Sequence, residues 1–181
     1  MKVLEAIYGR RAIRDYTAEP VSPAVLRELI DAAAQAPSAM NERPWRFTVV
    51  TDKGLLSRIS KEAKACASKT GGDRIRQMLT DPGFDIFYDA PVLIVISAPK
   101  HSRWAIEDCA LAAENLMVAA YAASLGTCWI GFAEGWLNTK EGLSALNLAP
   151  EQRVVAPIIL GHPKTAPAPH LRPAAEINWI A

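Results

Sequence analysis

Hydrophobic positions along this chain fall into blocks that switch between helical and extended spacing. Val3, Leu4, Ile7 and Tyr8 recur at helical intervals and predict a short helix from Leu4 to Gly9. A basic, irregular stretch follows, Arg10 to Tyr16. Ser22 is a good N-cap and Pro23 stands at a first helical position; Leu26, Leu29, Ile30 and Ala33 make a stripe, so a second helix runs toward its stop at Pro37. The loop Pro37–Trp45 feeds a β-branched strand, Arg46 to Thr51. Leu55 to Ala67 reads as a third helix, Gly71-Gly72 as a loop, Asp73 to Leu79 as a short helix and Pro82-Gly83 as a turn. Pro91 to Ser97 is a continuous apolar run, the pattern of a central strand covered on both faces. Ala105 to Leu125 predicts the longest helix, apolar nearly all round, suited to the middle of a domain and ended by Gly126. Thr127 to Phe132 then reads as a strand, Thr139 to Leu146 as a helix, and Arg153 to Leu160 as a strand closing at Gly161.

Helices and strands mix without a long βαβ series, which predicts an α+β sandwich with a small sheet under much helix, one domain over residues 1–181. Of the 13 prolines, Pro157, Pro163, Pro167, Pro169 and Pro173 crowd the C-terminal end. That composition cannot form a long helix. Residues 160–181 are therefore read as an extended arm, and an arm needs a surface to lie on.

Composition narrows the function classes. Apolar residues are 50% of the 181 and charged residues 22%, ordinary globular usage. A net charge of +1 gives no field that would draw the whole chain to nucleic acid or an anionic membrane. Cys66, Cys109 and Cys128 are odd in number and lie far apart in sequence, as inert thiols in a reducing compartment do. With His101, His162 and His170 equally scattered and no HExxH or CxxC, no metal site is expected. No secretory leader pattern opens the chain, and the apolar stretch from Ala105 is broken by Glu107, Asp108, Glu114 and Asn115, so a cytoplasmic protein without a membrane span is expected.

The common catalytic signatures (GxGxxG, the Walker loop, GxSxG, a plausible triad) are absent. An enzyme of this sequence would need a cofactor to carry the reaction, and no side chain is singled out as catalytic. Three features remain. Arg10, Arg11 and Arg14 place three guanidinium forks within five residues, which suits a phosphate, although a solvated basic turn has the same composition. Ser38, Asn41 and Arg43 sit between prolines in a stiff loop that could hold donors in place or merely connect. Gly131, after Thr127-Cys128-Trp129-Ile130, could admit a flat ring against backbone or simply make a turn.

At these residues the chain resembles the nitroreductase family of FMN-dependent oxidoreductases. The similar segments are Arg10–Tyr16, Ala36–Trp45, Asp89-Ala90-Pro91, Asp108-Cys109-Ala110 through Gly126–Gly131, and Leu160–Pro163, in order and over nearly the whole chain. The resemblance implies a mostly antiparallel sheet flanked by helices, an intertwined homodimer whose C-terminal arm reaches the partner, and FMN at the dimer interface. It implies Arg10 at the FMN phosphate with Arg11 and Ala12 beside it, and Arg14 near the pyrimidine edge. Pro37, Ser38, Ala39 and Asn41 would line the ring from the other subunit, and Ile130 and Gly131 would lie near flavin N5. His170 and Arg172 would form a second phosphate-binding pair.

The reaction implied is ping-pong, with NAD(P)H reducing the flavin and a nitro compound, quinone or similar acceptor reoxidising it. Two positions depart from the family pattern: Ala12 stands where Ser is usual, and Arg43 where Gln precedes Pro-Trp. Other flavin chemistry within the family, dehydrogenation or flavin breakdown, and a flavin-binding protein with little turnover are the competing readings.

Overall fold

The computed structural model describes residues 2–165, 167 and 172–180. In chain order the elements are α1 (Val3–Gly9), α2 (Pro23–Ala33), a single 3-10 turn (Ala39–Asn41), β1 (Arg46–Val50), α3 (Lys53–Ala67), α4 (Asp73–Thr80), β2 (Val92–Pro99), α5 (Ala105–Ala122), β3 (Gly126–Trp129), α6 (Gly131–Leu137), α7 (Lys140–Ala145) and β4 (Gln152–Gly161). The strands form one antiparallel sheet in the order β1-β2-β4-β3. The expected α+β sandwich is what the chain builds.

Side-chain alternation in β2 splits the core. Val92, Ile94, Ile96 and Ala98 face a cluster completed by α2 and α5, while Leu93 and Val95 face one completed by α3, α6 and α7. A strand with helices on both faces must be apolar at every position, and β2 is buried along all but its last residue. The caps follow the sequence. Ser22 Oγ accepts the Val25 N–H, Asp52 the Leu55 N–H and Thr139 Oγ1 the Gly142 N–H.

Two expectations need correction. Gly126 does not end the long helix. α5 stops at Ala122, and Ser124 takes the left-handed conformation (φ 61°). The Leu125 N–H then donates to the Ala120 carbonyl and the Ser124 N–H to that of Tyr121, the paired bonds of a Schellman close. Gly126 is the first residue of β3. A Cβ there would lie 2.7 Å from Ile13 Cγ1, so its small size lets the basic segment approach the strand.

The second correction is the predicted strand Thr127–Phe132, which ends at Trp129 and turns into α6 at Gly131. The physical reason lies on the neighbouring strand. Trp129 pairs with Ile158, so the next pair in register is Ile130 with Pro157. The Ile130 N–H donates to the Pro157 carbonyl (2.8 Å). Proline has no N–H to return, and the ladder stops there. The expected arm also begins slightly late, since β4 extends through Gly161; beyond it the described residues form no further helix or strand.

Candidate functional site

The basic segment after α1 is laid along the outer edge of β3. Ala12 bridges Thr127 in parallel, and the Ile13 N–H donates to the Thr127 carbonyl (2.9 Å). Ile13 and Tyr16 turn inward, and the Tyr16 hydroxyl donates to the Ile13 carbonyl at 2.8 Å. The residues after β4 hold the far end: the Thr17 N–H meets the His162 carbonyl, the Lys164 N–H meets the Asp15 carbonyl, and Thr165 Oγ1 donates to Asp15 Oδ2. The arginines thus project from backbone fixed on two sides.

Arg10, Arg11 and Arg172 gather at the C-terminal end of α1. Arg11 Nη1 donates to the Tyr8 and Arg10 carbonyls, both at 2.7 Å. Arg172 reaches from the tail to the Ile7 carbonyl (3.4 Å) and the Arg10 carbonyl (3.0 Å). Cations are favoured here because the last carbonyls of a helix are unpaired and carry partial negative charge. Arg10 Nη2 also pairs with Glu114 Oε2 of α5 at 3.3 Å. The Nε atoms of Arg10 and Arg11 are buried with no hydrogen-bond partner among the described residues. Two buried guanidinium N–H groups without acceptors are costly unless something fills them.

Arg14 stands apart from this cluster, beside the Tyr88 hydroxyl and the Cys128 thiol. Burial raises the pKa of both groups, and the Arg14 charge pulls against it. Burial raises Tyr16 beyond the usual phenol range and pushes the Cys109 thiol up to about 12, where neighbouring Asp108 adds to the effect. Tyr88 and Asp89 both adopt left-handed backbone (φ 53° and 58°). The Asp85 carboxylate braces that turn, accepting the Phe87 and Asp89 N–H groups and the Ser60 hydroxyl.

The Pro37–Trp45 loop is stiff for a reason the sequence did not display. Met40, Asn41 and Arg43 all have positive φ (51°, 56° and 47°), a conformation costly for side-chain-bearing residues. Ser38 Oγ accepts the Arg43 N–H, Arg43 Nε donates to Asn41 Oδ1, and buried Trp45 anchors the exit. Arg43 therefore closes its own loop. The entrance is pinned by Asp108, a carboxylate only 2% exposed, whose Oδ1 accepts the Ala39 N–H at 2.9 Å. Asp108 and Glu114 thus hold the loop and the arginine cluster from one helix, roughly 9 Å apart along its axis. Neither role was expected, although three acids, Glu107, Asp108 and Glu114, in a largely apolar helix were a visible signal.

Gly131 lies where β3 hands over to α6, and a Cβ added there would meet nothing within 4 Å. It opens onto a cleft of about 830 Å³ between α6 and the C-terminal end of α3, lined also by Phe132, Glu134 and Cys66. Ile130 beside it is buried. His170 falls outside the described residues. Among the described residues no cluster of potential metal ligands forms, and no helix is long and apolar enough to cross a membrane.

Comparison with known proteins bears on the chain as a whole. The profile of the nitroreductase family matches residues 7–162. A protein of Methanothermobacter thermautotrophicus, named with NADH dehydrogenase and NAD(P)H nitroreductase as candidate activities, is 32% identical over 172 residues, 92% of this chain and 80% of that protein. A nitrobenzene nitroreductase of Ectopseudomonas oleovorans is 29% identical over 87% of this chain and 85% of its own. Among solved structures, a nitroreductase with bound FMN from Bacteroides fragilis superposes with a TM-score of 0.90 at 26% identity, each chain fully covered. The fixed arginine segment, the strand-to-helix turn at Gly131 and the match across most of the sequence lead to one conclusion: the chain belongs to the nitroreductase family.

Proposed function

We propose that this protein is an FMN-dependent NAD(P)H oxidoreductase that reduces nitro compounds, quinones or similar acceptors by two electrons. The observation that carries the reading is the pair of buried Nε atoms on Arg10 and Arg11 that have no partner among the described residues. Arg11 already gives Nη1 to backbone carbonyls and Arg10 gives Nη2 to Glu114, so the Nε–H donors that remain on both suit the oxygens of a phosphate. The open space at Gly131 fits a flat ring system. The names of the relatives, which pair nitroreductase with NAD(P)H and FMN, point the same way.

Arg10, Arg11 and Arg172 would hold the phosphate, with His170 as the expected fourth contact and Ala12 lying alongside without a hydroxyl to offer. Arg14 would meet the pyrimidine edge, kept in place by Tyr88 and Cys128. Ile130 and Gly131 would border the reacting edge of the ring, while Pro37, Ser38, Ala39 and Asn41 would cover it from a second subunit. When bound, FMN would supply the redox chemistry, two-electron exchange between a nicotinamide and the acceptor. The protein's own part is placement and fixed charge: Arg14 sets a permanent cation near the ring, and the Asp108-pinned loop limits what can stack over it.

A homodimer is part of this proposal. The single chain exposes 11,010 Å², well above the roughly 8,600 Å² expected for a monomer of this mass. Several large apolar side chains lie on that surface. Leu111 and Ile106 on α5, Tyr8 and Val3 on α1, Met40 at the loop tip (89% exposed) and Trp179 in the tail (84%) are all uncovered. The helix read as apolar all round keeps an apolar outer face, as it would at an interface. Three unpaired cysteines suit the reducing cytoplasm.

The test is a visible spectrum of the purified protein before and after NADPH under argon. A flavin band that bleaches within the mixing time and returns with a nitroaromatic or a quinone supports turnover. A flavin band that does not bleach leaves only a binding protein, and colourless protein that cannot be reconstituted with FMN ends the proposal.

A further inference from the structure

We infer that the cleft between α3 and the segment Asp81–Pro91 is a second ligand site, separate from the arginine cluster, for a small amphipathic anion: an acid group carried on an apolar chain or ring. The cleft measures about 920 Å³, within the ~300–1,000 Å³ span of small-molecule sites. Its floor is apolar. Leu56, Leu79 and Phe87 belong to the core cluster on that side of the sheet, and Phe84 walls one end.

The rim is cationic. Along α3, Lys53, Ser57, Lys61, Lys64 and Ser68 recur every three or four residues and so line one side, and Lys69 follows just past the helix. These charges are not equally free. Lys64 Nζ donates to the Asp81 and Phe84 carbonyls and lies 5.7 Å from the Phe84 ring centre, so it closes the end of the cleft. Lys53, Lys61 and Lys69 have no ion pair or side-chain hydrogen bond among the described residues.

The acids nearby do not balance them. The Asp85 carboxylate is consumed by Ser60 and by the Phe87 and Asp89 N–H groups. Asp89 is the one other carboxylate on the lining. A chain whose net charge is only +1 thus concentrates uncommitted lysines over an apolar hollow. An apolar floor rewards an apolar body and three lysines reward an acid; a neutral or cationic molecule satisfies only one of the two.

The experiment uses FMN-loaded protein and sodium dodecanoate below its micelle-forming concentration, followed by isothermal titration calorimetry with the flavin spectrum monitored in parallel. One molecule per chain should bind without release of FMN. Affinity should fall about tenfold or more in the Lys53→Gln/Lys61→Gln/Lys69→Gln protein and should weaken with added salt. Dodecyltrimethylammonium, with the same tail and opposite charge, should bind far more weakly. Equal affinity for the two detergents, an unchanged affinity in the triple variant, or displacement of FMN by dodecanoate would overturn the assignment. The salt series on the unmodified protein decides the matter even if the triple variant folds poorly. None of these outcomes depends on whether the flavin turns over.

Discussion

Each arginine of the basic segment has a different amount of unfinished business. Arg11 and Arg172 spend donors on the last carbonyls of α1, Arg10 spends one on Glu114, and the Nε groups of Arg10 and Arg11 are left over. Arg10→Ala and Arg11→Ala should each weaken FMN binding by about 1.5–3 kcal/mol, roughly 10- to 100-fold, read by fluorescence titration of the apoprotein. Unchanged affinity in either would remove that residue from the phosphate site. The grouping of Arg10 with Arg11 was legible from their spacing, but spacing alone did not separate Arg14, which stands beside Tyr88 and Cys128, from the phosphate candidates. Tyr88 was not legible, because its place beside Arg14 depends on a left-handed turn that no residue in Phe87-Tyr88-Asp89 advertises. Asp108 lay between, visible as an acid in an apolar helix but silent about the Ala39 N–H it holds.

At the scale of elements, periodicity located nearly every helix and strand, and the failures occurred where one element depends on another. Thr127–Phe132 is rich in β-branched and aromatic residues (Thr127, Trp129, Ile130, Phe132), yet the strand is cut short by Pro157 on its neighbour. That interruption directs the backbone into α6 and sets Ile130 and Gly131 at the corner. Gly126 was read as a helix stop from local grammar alone; its purpose is to let Ile13 sit against β3. Gly126→Ala should cost about 1–3 kcal/mol through overpacking, measured as a lower urea midpoint. Combining it with Ile13→Ala should give less than the sum of the two losses, because the contact is shared. Full additivity would mean that the approach of the basic segment does not explain the glycine.

For the whole molecule, two properties follow from what is buried and what is not. The thiols of Cys109 and Cys128 and the phenols of Tyr16 and Tyr88 all hold their protons more tightly in the folded chain than when unfolded. Folded values above unfolded ones mean that this stabilisation is intact below about pH 9 and is lost as pH rises through the folded values, which for Cys109 extends to about 12. The urea midpoint should therefore be flat from pH 7 to 8.5 and decline above pH 9; a midpoint that rises there would contradict the buried protons. The exposed apolar face spread over α1, α5, Met40 and the tail should make the particle a dimer by analytical ultracentrifugation, and a monomer that keeps its FMN would refute the shared site. Arg172, finally, ties the last stretch of the polypeptide to carbonyls of the first helix. The first helix and the tail therefore meet at the proposed phosphate site, and trimming the final ten or so residues by carboxypeptidase or in an expression design should loosen the grip on the prosthetic group while leaving the sheet and its two cores whole.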